Sequence, residues 1–231
     1  MAKNPQEMVI SYHRVRQAVG ILGLLLPVVV LAGAVLSNTT IEASLSDFYH
    51  SLQRDLYVGI LFAIGTFLIS YRGYPSDDKE YFTDDRMATI CGALAYGVAL
   101  FPNHIPQNPD ATSIQIIFGA EFVGLVHHIS ATLLLLCLAY FCFFKFTRVV
   151  RAPWRKKVYI GCGYAILLFT VLTYITSILR KFGPETISDV IEVWSLIFIF
   201  EALGIWAFAI SWLVKGISIR EMAEEATANL S

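Results

Sequence analysis

The sequence predicts an all-α membrane protein, a bundle of six transmembrane helices with both termini cytoplasmic, and three observations predict it. Of the 231 residues 56% are hydrophobic and only 15% charged, with a mean hydropathy of +0.62, whereas a soluble domain carries about 25% charged residues. The apolar residues gather into runs at about 18–37, 50–71, 87–102, 118–146, 158–179 and 193–214, near the roughly 20 residues that cross a bilayer. Finally, 14 of the 17 Lys and Arg fall before the first run, in 72–86, in 145–157 and after the last run, against Arg54, Arg180 and Lys181 in the other connections. Basic residues stay on the cytoplasmic side, so this asymmetry orients the chain. Residues 1–231 read as a single polytopic domain without internal repeats.

The first run, Ala18–Ser37, follows a polar segment with Lys3, Arg14 and Arg16. It is longer than the apolar part of a secretory signal, and Pro27 should kink it. The second run is short: Leu56–Tyr71 would span about 24 Å of a roughly 30 Å core. Its helix is therefore expected to begin near Ser46, carrying Ser46, His50 and Arg54 on one stripe and Asp47, Ser51 and Asp55 on the next. Gly73 and Pro75 end it. The acidic loop 72–86 lacks the spacing of a calcium loop.

The third run, Met87–Phe101, ends at Pro102, with His104 beyond it. The fourth, Phe118–Phe146, carries Glu121, His127 and His128 in its first third. Ionisable groups inside a span are costly unless they face a partner or a wet cavity. The fifth, Val158–Leu179, is uncharged with a hydroxyl-bearing side, and the sixth, Val193–Val214, is interrupted by Glu201. By helical rise, His127, His128 and Glu201 all lie about 12–14 Å below the outer surface. The tail after Lys215 reads as a surface helix or a disordered segment.

Depth matching makes a polar constellation in the outer half the candidate site. In one reading Glu201 hydrogen-bonds His127 or His128 and ties the fourth and sixth helices together. In another, His50, His127 and His128 bind a divalent metal such as zinc, with Asp55, Glu121, Glu201 and Ser46 in catalytic or supporting roles. A haem held by two histidines is a third. Glu121 and His128 share a face with Thr132, whereas His127 points about 100° away. The two imidazoles therefore cannot address one point without bending. Cys91, Cys137, Cys142 and Cys162 lie inside apolar runs with no metal-binding spacing, and read as buried thiols. No basic tract interleaved with aromatics suggests nucleic acid. The expected partners are membrane lipids and a small lipid-like ligand.

SLSDFYH at 44–50, with Ser46 and His50 in an SxxxH spacing, and HHIS at 127–130 resemble the CREST superfamily of transmembrane hydrolases. The resemblance implies a seven-helix fold with a zinc site of histidines, an aspartate and a serine, and hydrolysis of a lipid-like amide or ester. Six runs are present here instead of seven, the late HxxxH is missing, and Asp55 follows the SxxxH closely. RDLYVG at 54–59 and YRGY at 71–74 are similar to uncharacterised bacterial six-helix membrane proteins, which implies the bacterial inner membrane and no particular activity.

Overall fold

In a computed structural model the chain is all-helical; residues 5–73, 80–104, 111–148, 150 and 152–228 are described, with side chains described from 14 to 217 within those ranges. Asp77 and Asp78 of the acidic loop lie outside the described residues. The helices are α1 (Pro5–Leu36), α2 (Arg54–Ile69), α3 (Asp84–Leu100), α4 (Ser113–Phe118), α5 (Ala120–Tyr140), α6 (Pro153–Phe182), α7 (Glu185–Val193) and α8 (Leu196–Ala228). A 3-10 turn covers Ser46–His50, and a π turn, Phe141–Lys145, prolongs α5. Four segments are long and apolar enough to cross a membrane: Arg14–Leu36, Ala120–Lys145, Pro153–Phe182 and Leu196–Ile217. The second and third runs form helices of 16 and 17 residues.

Six helices follow one another around a closed ring: α1 packs on α2, α2 on α3, α3 on α5, α5 on α6, α6 on α8, and α8 back on α1. The ring holds two apolar cores. One surrounds Trp212, whose ring meets those of Tyr71, Phe141, Phe146 and Phe208. The other lies under the 3-10 turn and includes Phe48, Tyr49, Tyr57 and Phe198. Close crossing of α2 and α3 depends on glycine at both positions. A Cβ on Gly65 would meet the Gly92 carbonyl oxygen at 3.1 Å, and one on Gly92 would meet that of Gly65 at 2.6 Å.

Helix ends explain several local sequences. α1 continues through Pro27 and ends with Asn38 in the left-handed conformation, φ 58°. The Thr39 and Asn38 N–H groups turn back to the carbonyls of Ala34 and Val35, so the last orphan acceptors are satisfied. Thr83 caps α3 through the Arg86 N–H. α4 opens with a capping box between Thr112 and Gln115 and stops at Gly119, φ 86°, where the chain turns into α5.

The second helix does not start near Ser46. Ser51 is extended, φ −110° and ψ 177°, and its hydroxyl bonds the Phe48 carbonyl and the Gln53 N–H. A serine that satisfies local backbone in this way competes with helix continuation. The stripes expected along 46–55 therefore do not exist as one helical surface. The tail beyond Lys215 is helical to Ala228, continuous with α8.

At the end rich in basic residues, Lys145 is 2% exposed. Its ammonium meets Glu80 at 2.5 Å and Asp84 at 3.4 Å, and Arg148 reaches both Glu80 oxygens at 2.6 Å. A buried ammonium is tolerable only with such compensation. Arg148 and Lys145 together hold the Glu80 carboxyl down at about 2.

Candidate functional site

The opposite end of the ring holds His50, His104, His127 and His128. The site begins where α3 stops. Phe101, Pro102 and Asn103 leave carbonyls that no helical N–H can reach, since the chain turns away at the proline. Two histidines take these acceptors. His127 Nδ1 bonds the Phe101 oxygen at 2.7 Å, and His50 Nε2 bonds the Asn103 oxygen at 2.9 Å. A carbonyl oxygen only accepts, so the His127 Nδ1 carries the proton. Its Nε2 then offers a lone pair, and the Ser46 hydroxyl lies 3.0 Å away as the donor.

The 3-10 turn that carries Ser46 is fastened from several sides. Asp47 Oδ2 accepts the Ser44 N–H, and Asp47 Oδ1 accepts Asn103 Nδ2 at 2.6 Å. The Ser44 hydroxyl accepts the Asp47 N–H in return. Glu201 Oε2, from α8, accepts the Leu45 N–H at 2.6 Å, with the Ser46 N–H beside the same carboxyl. The Tyr57 hydroxyl sits against Ser46 from below. Glu42 lies at the rim, where burial, and then the nearby Asp47, push its carboxyl above the usual range. Asn103 is 5% exposed, and no donor among the described residues reaches its Oδ1.

Of the predicted site residues, Ser46, His50, His127 and Glu201 converge on this turn. Glu201 does so through a backbone N–H and not through the imidazole expected for it. His128 stands beside His127 with perpendicular rings, centroids 5.5 Å apart, but it is exposed on the outer surface of α5. Glu121 is exposed in the first turn of α5, and Asp55 is exposed in the first turn of α2. Neither is brought to Ser46 by the contacts described. The aspartate of the cluster is Asp47, inside the SLSDFYH segment itself. Asn103 and Tyr57 also belong to the site, and the only sequence signal for Asn103 is its position after a helix-ending proline.

The donor set does not fit a metal. Both ring nitrogens of His127 are engaged, His50 Nε2 is turned to a carbonyl, and His128 faces outward. Among the described residues no group of three or more His, Cys, Asp or Glu side chains could hold a metal ion. What the arrangement can do is hold a neutral imidazole against a serine hydroxyl, within a turn locked by carboxylates.

Burial changes along one face of α5. Glu121, His128 and Ala139 share one helical face to within about 20°. Ala139 is 1% exposed, whereas Glu121 and His128 are exposed. Thr132, four residues past His128, hydrogen-bonds the Tyr174 hydroxyl on α6, and nearer the basic end Phe143 packs on Tyr164. α6 therefore covers this face toward the basic end, whereas Glu121 and His128 are exposed at the histidine end. The short helices at this end carry exposed apolar side chains: Ile116, Ile117 and Phe118 on α4, and Val190 and Val193 on α7, with Trp194 just after it.

No protein family, curated protein or solved structure matches the chain.

Proposed function

We propose that this is a six-span protein of the bacterial inner membrane, both termini cytoplasmic, that binds a lipid-like molecule taken laterally from the outer leaflet. The ligand enters between α5 and α6, and its polar part meets the cluster around Ser46, Asp47 and His128. The observation that carries this reading is the exposure of Glu121 and His128 on the face that buries Ala139. At the depth of His128 an ionisable side chain is costly in hydrocarbon, so an open polar seam is the kind of place where it persists. The second and third helices are short for a bilayer, and the 3-10 turn and the α3 exit supply polar length at the same end. The distribution of Lys and Arg supports the orientation. Metal-dependent hydrolysis is a less economical reading, because His50 and His127 would both have to release the carbonyls they cap.

A lipid bearing a photoactivatable group near its ester linkage tests the reading. The expected adducts concentrate on Leu125, His128, Thr132, Tyr174 and Ile178, in excess over Ile21 and Val28, which are exposed on α1. Even labelling of both surfaces refutes it.

A further inference from the structure

We propose that Ser46 is an acyl-accepting nucleophile with His127 as its general base, acting on the carboxylic ester of a membrane lipid. The proposal rests on the lipid-binding reading for its substrate and on separate geometry for its chemistry. The Phe101 carbonyl fixes the tautomer of His127, so its Nε2 is an acceptor, and the Ser46 hydroxyl lies 3.0 Å from it in the donating role. This is the relation of nucleophile, base and orienting group that activates a hydroxyl, with a main-chain oxygen in the third role. His127 is fully buried, whereas Ser46 is half-buried and so lies nearer the surface of the cluster.

The bookkeeping closes without another reactant than water. Ser46 Oγ bonds the ester carbon as its proton passes to His127 Nε2. The carbon–oxygen bond to the lipid alcohol then breaks, and His127 returns the proton to the departing oxygen. Water attacks the acyl-serine, again giving a proton to His127, which restores the Ser46 hydroxyl as the fatty acid leaves. Ester and water become acid and alcohol, and nothing is oxidised or reduced. An ester bond of a bilayer lipid lies just beneath its headgroup, the level at which a turn joining the ends of α1 and α2 would sit.

The test uses full-length wild-type protein in detergent with lipid, treated with a short-chain and a long-chain alkyl fluorophosphonate, followed by peptide mass mapping. The expected result is a phosphonyl adduct on Ser46 from both probes, none on Ser46→Ala, and labelling slowed by about 100-fold or more in His127→Gln. No adduct on Ser46 of the folded wild-type protein overturns the proposal, whether or not the photoactivatable lipid still crosslinks. Equal labelling of wild type and His127→Gln overturns the assignment of the base. Labelling of Ser46 by the short probe in protein that shows no lipid crosslinks in the seam upholds the nucleophile and removes the lipid-binding reading instead.

Discussion

Glu201→Ala isolates the contact that holds the 3-10 turn in place. The Leu45 N–H donates to the Glu201 carboxyl at 2.6 Å, and Leu45 is 3% exposed, so water cannot readily replace the lost acceptor. An orphaned buried donor costs about 1–3 kcal/mol. Glu201 itself is half-buried, and water entering its vacated space would recover part of that, leaving about 2 kcal/mol against the closed turn. At 1.4 kcal/mol per factor of ten this is a roughly 30-fold larger open population. Hydrogen exchange of residues 43–50 measures it directly, because an amide exchanges through local opening. Glu201→Ala should speed exchange there by about 30-fold. Glu201→Gln keeps a carbonyl acceptor at the same reach and should change it by less than about 5-fold, roughly 1 kcal/mol. If both variants exchange alike, the hydrogen bond is not what fastens the turn. If neither differs from wild type, the turn does not depend on the Glu201 carboxylate, and the Phe198 contacts of α8 suffice.

Two further outcomes follow from the packing and the charges. Gly92→Ala should lower thermal stability in detergent by about 1–3 kcal/mol, since its Cβ would lie 2.6 Å from the Gly65 oxygen and 3.0 Å from the Ile69 nitrogen. Gly59→Ala, where a Cβ meets nothing within 4 Å, should be neutral or stabilising, and equal losses would refute the close-crossing argument. Glu80 is held at about 2 in the folded protein against an ordinary carboxyl value near 4.5. The stability it contributes is complete above the ordinary value and disappears as pH falls toward about 2. Melting curves should show a decline across that window in wild type and a smaller one in Glu80→Gln; identical acid profiles would refute the pairing.

The membrane character of the chain was readable because apolar runs leave a signal over some 20 residues, and four of the helices carry it in full. The expense of polar groups at depth made the meeting of His50, His127 and Glu201 at one end readable, although it grouped Glu121 and His128 with them, and Ser46 stood out only by its SxxxH spacing. Their partners were not readable. His127 and His50 cap the carbonyls of Phe101 and Asn103, and Glu201 takes the Leu45 N–H, and main-chain groups leave no mark in the order of side chains. Side chains alone therefore pair acids with imidazoles and suggest a metal. The break at Ser51–Gln53 was lost for a related reason: a hydroxyl competing for local backbone looks in sequence like one more polar residue in a helix. That break is also why Asp47, and not Asp55, joins the cluster.

α1 and α8 are neighbours in the ring: Gly20 and Gly23 face Leu213, Ala209 and Phe208, and the Trp206 indole donates to the Leu24 carbonyl at 3.1 Å. A ribosome makes α1 well before α8. α1 must therefore wait, its glycine groove uncovered, until α8 emerges, and the Leu45 amide waits with it for Glu201. The serine turn can close fully only after α8 has been made, so chains stalled before α8 would hold that turn open and within reach of proteases.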